Sequence, residues 1–288
     1  MLNLGLLIAL LSALTMNLAF FFKFRGARVA PLVDLRHPLA SAIELWKSKW
    51  FAIGMVVGLI AWGMHVAALT IAPLSLVQAV VASGVALVAV MADKIFGLQV
   101  GRRQWWGLAL TAIGLALLAL TMPASVGPYA SYSGPQMALF EAVLLAVGVV
   151  LIVGPRAAGA RTEHHGIALA AAAGIMFGVC NVSVKALTGT LPDAGLAGVI
   201  SAPMLIAIVA SIGAFYASAR SLQLGGAVAV IGITGTASSI TCVAGGILVF
   251  GDPMPGDLLG MLVQGLAFLL VIFASALIPA SRAGQIST

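Results

Sequence analysis

Apolar residues dominate this chain in runs of about twenty, each closed by a proline, a glycine pair or a cluster of charges. The first run covers Leu2–Phe22 and meets Lys23, Arg25 and Arg28, which the pattern predicts will stop it. A mixed stretch to Lys49 follows, with Pro31, Pro38 and a short amphipathic piece, Leu39–Trp46, of the kind that lies along a membrane interface. Further runs cover Trp50–Thr70, Leu74–Ala92, Trp105–Met122, Gln136–Val153, Gly166–Leu187, Leu196–Ala219, Gly225–Phe250 and Leu258–Ile278. Each is near the length a helix needs to cross hydrocarbon, and strand-period alternation is absent, which argues against a barrel. The prediction is an all-α polytopic membrane protein with nine transmembrane helices. In the stretch Trp62–Gly97 the break at Ala72-Pro73 is too short for a loop, so two helices must turn back on each other there. Gly154-Pro155 is predicted to break the fifth span. Residues 155–165, with Arg156, Arg161, Glu163, His164 and His165, read as a polar linker between a first unit (1–154) and a second (166–279), before a tail (280–288). Met1–Phe22 has no basic segment ahead of it and no small-x-small cleavage pattern, so a retained first helix is expected.

Composition agrees with the pattern. Only 8% of the 288 residues are charged and 62% are hydrophobic, where a soluble domain carries roughly 25% charged residues. The net charge of +6 would suggest nucleic acid in a soluble protein. Here the basic residues sit in alternate loops: Lys23 to Lys49, Lys94 to Arg103, Arg156 and Arg161, Arg220, and Arg282. The intervening loops hold no Lys or Arg, only Asp193, Asp252 and Asp257. The positive-inside rule then predicts a cell-membrane (inner or plasma) protein with its N-terminus outside and C-terminus in the cytoplasm. Nucleic acid is not expected as a partner. The expected partners are the lipid bilayer and a small ion or metabolite, with a homodimer left open. Cys180 and Cys242 lie far apart inside apolar runs, with no spacing that suggests a zinc site or disulfide framework.

A weak internal echo links Ala67–Gly97 to Ser218–Gly251. Each is a helix end, a break, a helix rich in Val, Ala and Gly, and a terminal Phe-Gly, at Phe96-Gly97 and Phe250-Gly251. The loop charges put these two ends on opposite sides, so the units are expected to be inverted. Inverted repeats are a common build of secondary transporters, with the substrate site near the midplane.

At these residues the chain resembles the drug/metabolite transporter superfamily, and within it the NIPA-type magnesium transporters. The resemblance rests on Asn17–Lys23, on Gly54, Gly58 and Trp62, on Ala67–Val77 around Pro73, on Asn181–Ala186, and on Ser221–Val228 at the matching second turn. It covers nearly the whole chain through short motifs. The family's acidic residue after the first Leu/Phe-Gly is Leu98 here, Asp252 stands at the second, and Gly225-Gly226 replaces the second proline. The resemblance implies an inverted-repeat bundle and alternating-access transport of Mg²⁺ or a similar divalent cation. A small-metabolite exporter of the same superfamily and a non-transporting membrane scaffold are the alternatives.

Ionisable groups within spans are costly and each needs a reason. Glu141 is the carboxylate clearly inside a span, and could bind a metal cation through oxygen, take a proton, or sit near the interface paired with Lys185. Lys185, near the end of its span, either snorkels or faces a cavity, where it would favour an anionic or zwitterionic substrate. Asn17 and Asn181, one in each half, offer amides to a substrate or bonds between helices. Thr234 and Ser238, in a span rich in hydroxyls, and Gln78 and Ser83 at the matching place in span three, are the remaining candidates for a cavity lined by spans one, three, six and eight. His65 reads as a polar packing residue, and Asp252 as a solvated charge at a helix end. With no nucleophile–base pair, metal cluster or phosphate loop in the sequence, neither an enzymatic activity nor a cofactor is expected.

Overall fold

Inside a bilayer the backbone must satisfy its own polar groups, which leaves helices as the answer for runs like these. The computed structural model describes residues 2–34, 37–81, 83, 106–107, 109–110, 113–114, 117–118, 121, 131–157, 159, 162–194, 200–225 and 227–277. Among the described residues the chain is all-α. The continuous helices are α1 (Leu2–Val29), α2 (Pro38–Lys47), α3 (Lys49–Ile71), α4 (Gly134–Ala157), α5 (Thr162–Ala194), α6 (Ala202–Leu224), α7 (Ala227–Leu248) and α8 (Leu258–Leu277). Residues 74–81 are also helical, as are the described positions within 106–121. Six of these helices, α1 and α3 to α7, are long and apolar enough to cross a membrane, and α8 carries a shorter apolar stretch, Leu258–Ala274. Large apolar side chains such as Leu7, Leu59, Leu139, Ile208 and Leu262 are exposed on these helices, on a scale that water would not tolerate. The chain is an integral, multi-pass membrane protein.

Helix ends differ from the expected ones in instructive ways. Lys23, Arg25 and Arg28 do not stop α1, which continues to Val29. Lys and Arg are good helix formers, and charge ends a membrane span without ending a helix. The stop comes just before Pro31, whose ring disfavours helix at Ala30. Arg25 lies over the Trp50 ring at 4.1 Å and Lys23 over Phe20 at 5.4 Å, so the basic turn has aromatic partners. Gly154-Pro155 does not break the fifth span. Pro155 costs α4 one hydrogen bond in its last turn, and the helix ends soon after at Ala157. The linker is shorter than expected, because α5 starts at Thr162 and takes Glu163, His164 and His165 into its first turn. The seventh span is displaced toward the C-terminus, from Leu196–Ala219 to α6, which follows the extended Ser201 and has Pro203 in its first turn. The amphipathic piece is helix α2, with Leu39, Ile43 and Trp46 exposed and Leu45 buried.

α1 packs on α3, and α5 on both α6 and α7; two of these pairs show how close the backbones come. In the first, α1 lies on α3 so tightly that a Cβ on Gly54 would stand 2.7 Å from the Lys23 amide nitrogen. In the second, α5 lies on α7, where a Cβ on Gly178 would collide with Thr241. Small residues let backbones approach where no hydrophobic drive assembles helices. α1 runs opposite to α5, and α3 opposite to α6. The start of α1 and the end of α3 meet at Gly5 and Ile71, and the end of α5 reaches the same place through Lys185. At the opposite end of the bundle, Arg28 of α1 reaches the Gly225 carbonyl between α6 and α7, and the start of α5 lies by Leu224 at Gly166. Residues 74–81 and α7 are likewise antiparallel, with Ser75 against the Asp252 turn and Gln78 against Ser239. These ends are called the Ala72 end and the Arg28 end below.

Candidate functional site

A cavity of about 450 Å³ lies between α1, α3, residues 74–81, α5, α6 and α7. Spans two and seven therefore contribute to it in addition to the four expected. Of the sequence-derived candidates, Asn17, Gln78, Asn181, Thr234 and Ser238 line it; Glu141, Lys185 and Ser83 do not. Ser12 and Lys23, which were not among the candidates, also line it, as does Ser239 of the hydroxyl-rich span. His65, read as a packing residue, is buried and lines the cavity as well.

Local helix geometry explains how the polar set is held. Asn17 donates its amide to the Ala13 carbonyl one turn back, at 2.8 Å. Thr234 bonds the Ala170 carbonyl of α5 at 3.1 Å, and Gln78 donates to the Ser239 hydroxyl at 3.2 Å. Asn181 leans toward the Cys242 sulfur at 3.7 Å. The remaining capacity is notable. Gln78 Oε1 and His65 Nε2 are buried with no hydrogen-bond partner among the described residues, a condition that costs free energy until something fills it. Aromatic and sulfur-bearing side chains, Met16, Phe20, Phe177 and Phe215 among them, make up much of the rest of the wall. Two lining residues of α3 are well exposed, Leu59 at 66% and Trp62 at 42%. Ser211 of α6 is exposed as well, so the cavity opens sideways between α3 and α6.

Beyond the cavity, the Ala72 end is closed by polar groups. Lys185 is 1% exposed. It does not snorkel. Its ammonium donates to the carbonyls of Leu69 at 2.6 Å and Ala72 at 2.9 Å, the last turn of α3. A cation there satisfies carbonyls the helix end leaves over and matches the helix dipole. Asp252 is 5% exposed and thus no solvated boundary charge. Its Oδ2 accepts the Ser75 amide N–H at 2.7 Å, at the opening turn of the helix after Pro73, where a carboxylate is favoured. Ala72 itself is extended, φ −143° and ψ 155°, as the residue before proline should be. The Ala72-Pro73 break is thus held from both sides, by Lys185 on the carbonyls before it and Asp252 on the amide after it. Burial pushes the Asp252 carboxyl above its ordinary range, against the pull of Ser75 and the Lys185 charge.

Glu141 sits between this end and the cavity. It is 2% exposed and accepts a 2.6 Å hydrogen bond from Ser183, two residues before Lys185. Among the described residues no group of three or more His, Cys, Asp or Glu gathers.

The Arg28 end is closed differently. Phe51, Leu222 and Ile231 pack there with Phe20 and Ala219. Polar contacts join them: Arg28 reaches the Gly225 carbonyl at 3.4 Å, Gln223 accepts from the Val33 amide at 2.8 Å and donates to the Pro31 carbonyl at 2.9 Å, the Tyr216 hydroxyl donates to the Pro38 carbonyl at 2.8 Å, and the Asp34 carboxylate attracts Arg220.

No family model, curated protein or solved structure matches the chain.

Proposed function

We propose that this protein is a secondary transporter that moves a small organic metabolite by alternating access. In this reading the chain has nine spans, with its N-terminus outside and its C-terminus in the cytoplasm, and its halves form an inverted repeat of the drug/metabolite transporter type. The antiparallel course of α1 and α5, α3 and α6, and residues 74–81 and α7 supports the repeat. An inverted pair with a cavity at its interface is the arrangement in which one half rocks against the other.

The observation that carries the choice of substrate is the make-up of the cavity wall. Among its described lining residues there is no Asp or Glu. The sequence of spans three and four adds none between Leu74 and Ala92 or between Trp105 and Met122. Mg²⁺ dehydrates reluctantly and is usually held through carboxylates. Glu141, the sequence candidate for a metal ligand, is buried against Ser183 outside the wall. An amide- and hydroxyl-bearing cavity with aromatic sides suits a metabolite better.

Reconstituted in liposomes, the protein is expected to move members of a panel of labelled organic acids, amines and neutral metabolites, and no Mg²⁺. Asn181→Leu should cut the organic flux roughly tenfold, the cost of one lost hydrogen bond to substrate. Mg²⁺ flux abolished by Glu141→Gln would overturn this reading in favour of the cation transporter.

A further inference from the structure

Among the described residues of the cavity wall, one carries a full charge. It is Lys23, and its side chain runs along α3, so that a Cβ on Gly58 would lie 3.1 Å from its ammonium nitrogen. That ammonium is set over the Phe20 ring at 5.4 Å. No carboxylate is among the described lining residues, and the buried carboxylates Glu141 and Asp252 lie beyond the wall toward the Ala72 end, on Ser183 and Ser75. A cation in a low-dielectric cavity attracts an anion strongly, and the π-face beside it supplies only part of that.

A second polar point lies farther in. His65 Nε2 and Gln78 Oε1 are buried and unpartnered among the described residues, and both side chains line the cavity. His65 is seven residues beyond Gly58 on α3, so the two polar points are about 10 Å apart along the helix at 1.5 Å per residue. Between them stand Met16 of α1 and Leu59 and Trp62 of α3, while Met55 and Phe215 line the wall on the Phe51 side of Lys23. The exposed Leu59 and Trp62 make the side opening apolar too.

Resting on the transporter reading above, we infer that the cavity binds an amphipathic organic acid. Its anionic group meets Lys23, its apolar or aromatic body lies beside Met16, Leu59 and Trp62, and a second polar group about 10 Å from the acid reaches Gln78 and His65. The positive charge of Lys23 and the absence of a described carboxylate in the wall work against an organic cation. Lys23 supplies a charge-assisted bond to the acid, while Gln78 reads the far end.

The test uses the full-length protein with four matched probes: para-hydroxyphenylpropionate, its primary amide, the amine that replaces its carboxylate, and phenylpropionate, which lacks the hydroxyl. Calorimetric binding in detergent and flux in liposomes are both measured. The hydroxylated acid is expected to bind about tenfold tighter than its amide and to exceed the amine by more. Lys23→Gln should remove the preference for acid over amide while amide binding persists, and Lys23→Arg should keep it. Gln78→Leu should remove the preference for the hydroxylated acid over phenylpropionate. Equal or better binding of the amide or amine by the wild-type protein overturns the organic-acid inference and leaves the transporter reading standing. Absence of binding and flux for all four probes and for the wider metabolite panel overturns both. Should Lys23→Gln fail to fold, the wild-type ranking of the probes and the Lys23→Arg result still decide.

Discussion

The two ends of the bundle are closed by different kinds of contact. At the Ala72 end an ammonium and a carboxylate, 1% and 5% exposed, grip the carbonyls and amide on either side of a chain break. At the Arg28 end Phe51, Leu222 and Ile231 pack together, the break at Gly225 receives a long hydrogen bond from Arg28, and Gln223, Tyr216 and Arg220 of α6 make polar contacts to the segment after α1. Buried ionic contacts are directional, and separating them leaves each charge uncompensated. Apolar contacts are non-directional and can be rearranged piecemeal. In the proposed rocking mechanism the difference bears on which end yields first: opening the Ala72 end requires buried polar groups to find water together, whereas the hydrogen bonds of the Arg28 end are exposed or part-buried and can exchange with water one at a time.

The comparison is broken most severely at Lys185. Lys185→Met keeps the length of the side chain and removes the charge. It strands the Leu69 and Ala72 carbonyls and takes the nearest cation from Asp252. Breaking a buried ionic cluster from one side costs about 3–5 kcal/mol. Thermal unfolding in detergent should therefore show the largest drop of any single cation-to-neutral change in the bundle, with transport falling about 100-fold or more. Lys185→Arg, which keeps the charge but not the shape, should recover part of both. Wild-type stability in Lys185→Met would mean that the cluster fastens nothing.

Part of this arrangement is legible in the sequence. Hydropathy finds the spans because about twenty apolar residues in a row have few other fates. The period of Leu39–Trp46 finds α2, and Ala72-Pro73 finds the break. Asn17, Gln78, Asn181, Thr234 and Ser238 are found because a polar side chain in hydrocarbon needs a partner, and in the structure they share one cavity. Helix ends are not legible from charge, because Lys23, Arg25 and Arg28 favour the helix they were expected to end. The roles of Lys185 and Asp252 are hidden for another reason. Their partners are backbone groups at a break over a hundred positions away in sequence, and side-chain chemistry does not announce such a partner. One signal existed: the loop-charge alternation puts both residues near the same side of the membrane, next to the Ala72-Pro73 turn, where opposite charges at helix ends have natural targets. Lys23 and Ser12 were not expected in the cavity because one lies in a basic cluster and the other on an otherwise apolar face, and His65 was read as packing because it stands alone on such a face.

A smaller change sharpens the same comparison through pH. Burial raises the Asp252 carboxyl above its ordinary value of 3.8, while the Ser75 bonds and Lys185 oppose the rise. A carboxyl whose folded value is raised binds its proton more tightly in the folded protein. Its contribution to stability is therefore fully present below 3.8 and is lost as pH climbs through the raised folded value. The wild-type melting temperature should gain a component as pH falls toward that range. Asp252→Asn, which keeps an oxygen for the Ser75 amide and cannot titrate, should lack it. The same pH slope in both proteins would remove Asp252 from the titration.

The smallest effect belongs to Arg28, and it tests the contrast most directly. Arg28→Ala removes the cation at the Gly225 break just as Lys185→Met removes the one at Ala72. The bond it loses is 3.4 Å long and exposed, and the guanidinium is also spread over the Phe24 ring at 5.1 Å. Water replaces an exposed hydrogen bond at little cost, so the loss should be about 1 kcal/mol or less. The two ends share no side-chain partner in these contacts, so the double variant should show the sum of the single losses. An Arg28→Ala penalty as large as that of Lys185→Met would mean that the Arg28 end is locked by charge as well, and the asymmetry that makes it the first end to open would disappear. A double-variant loss well short of the sum would mean that the two ends are energetically coupled and not fastened independently.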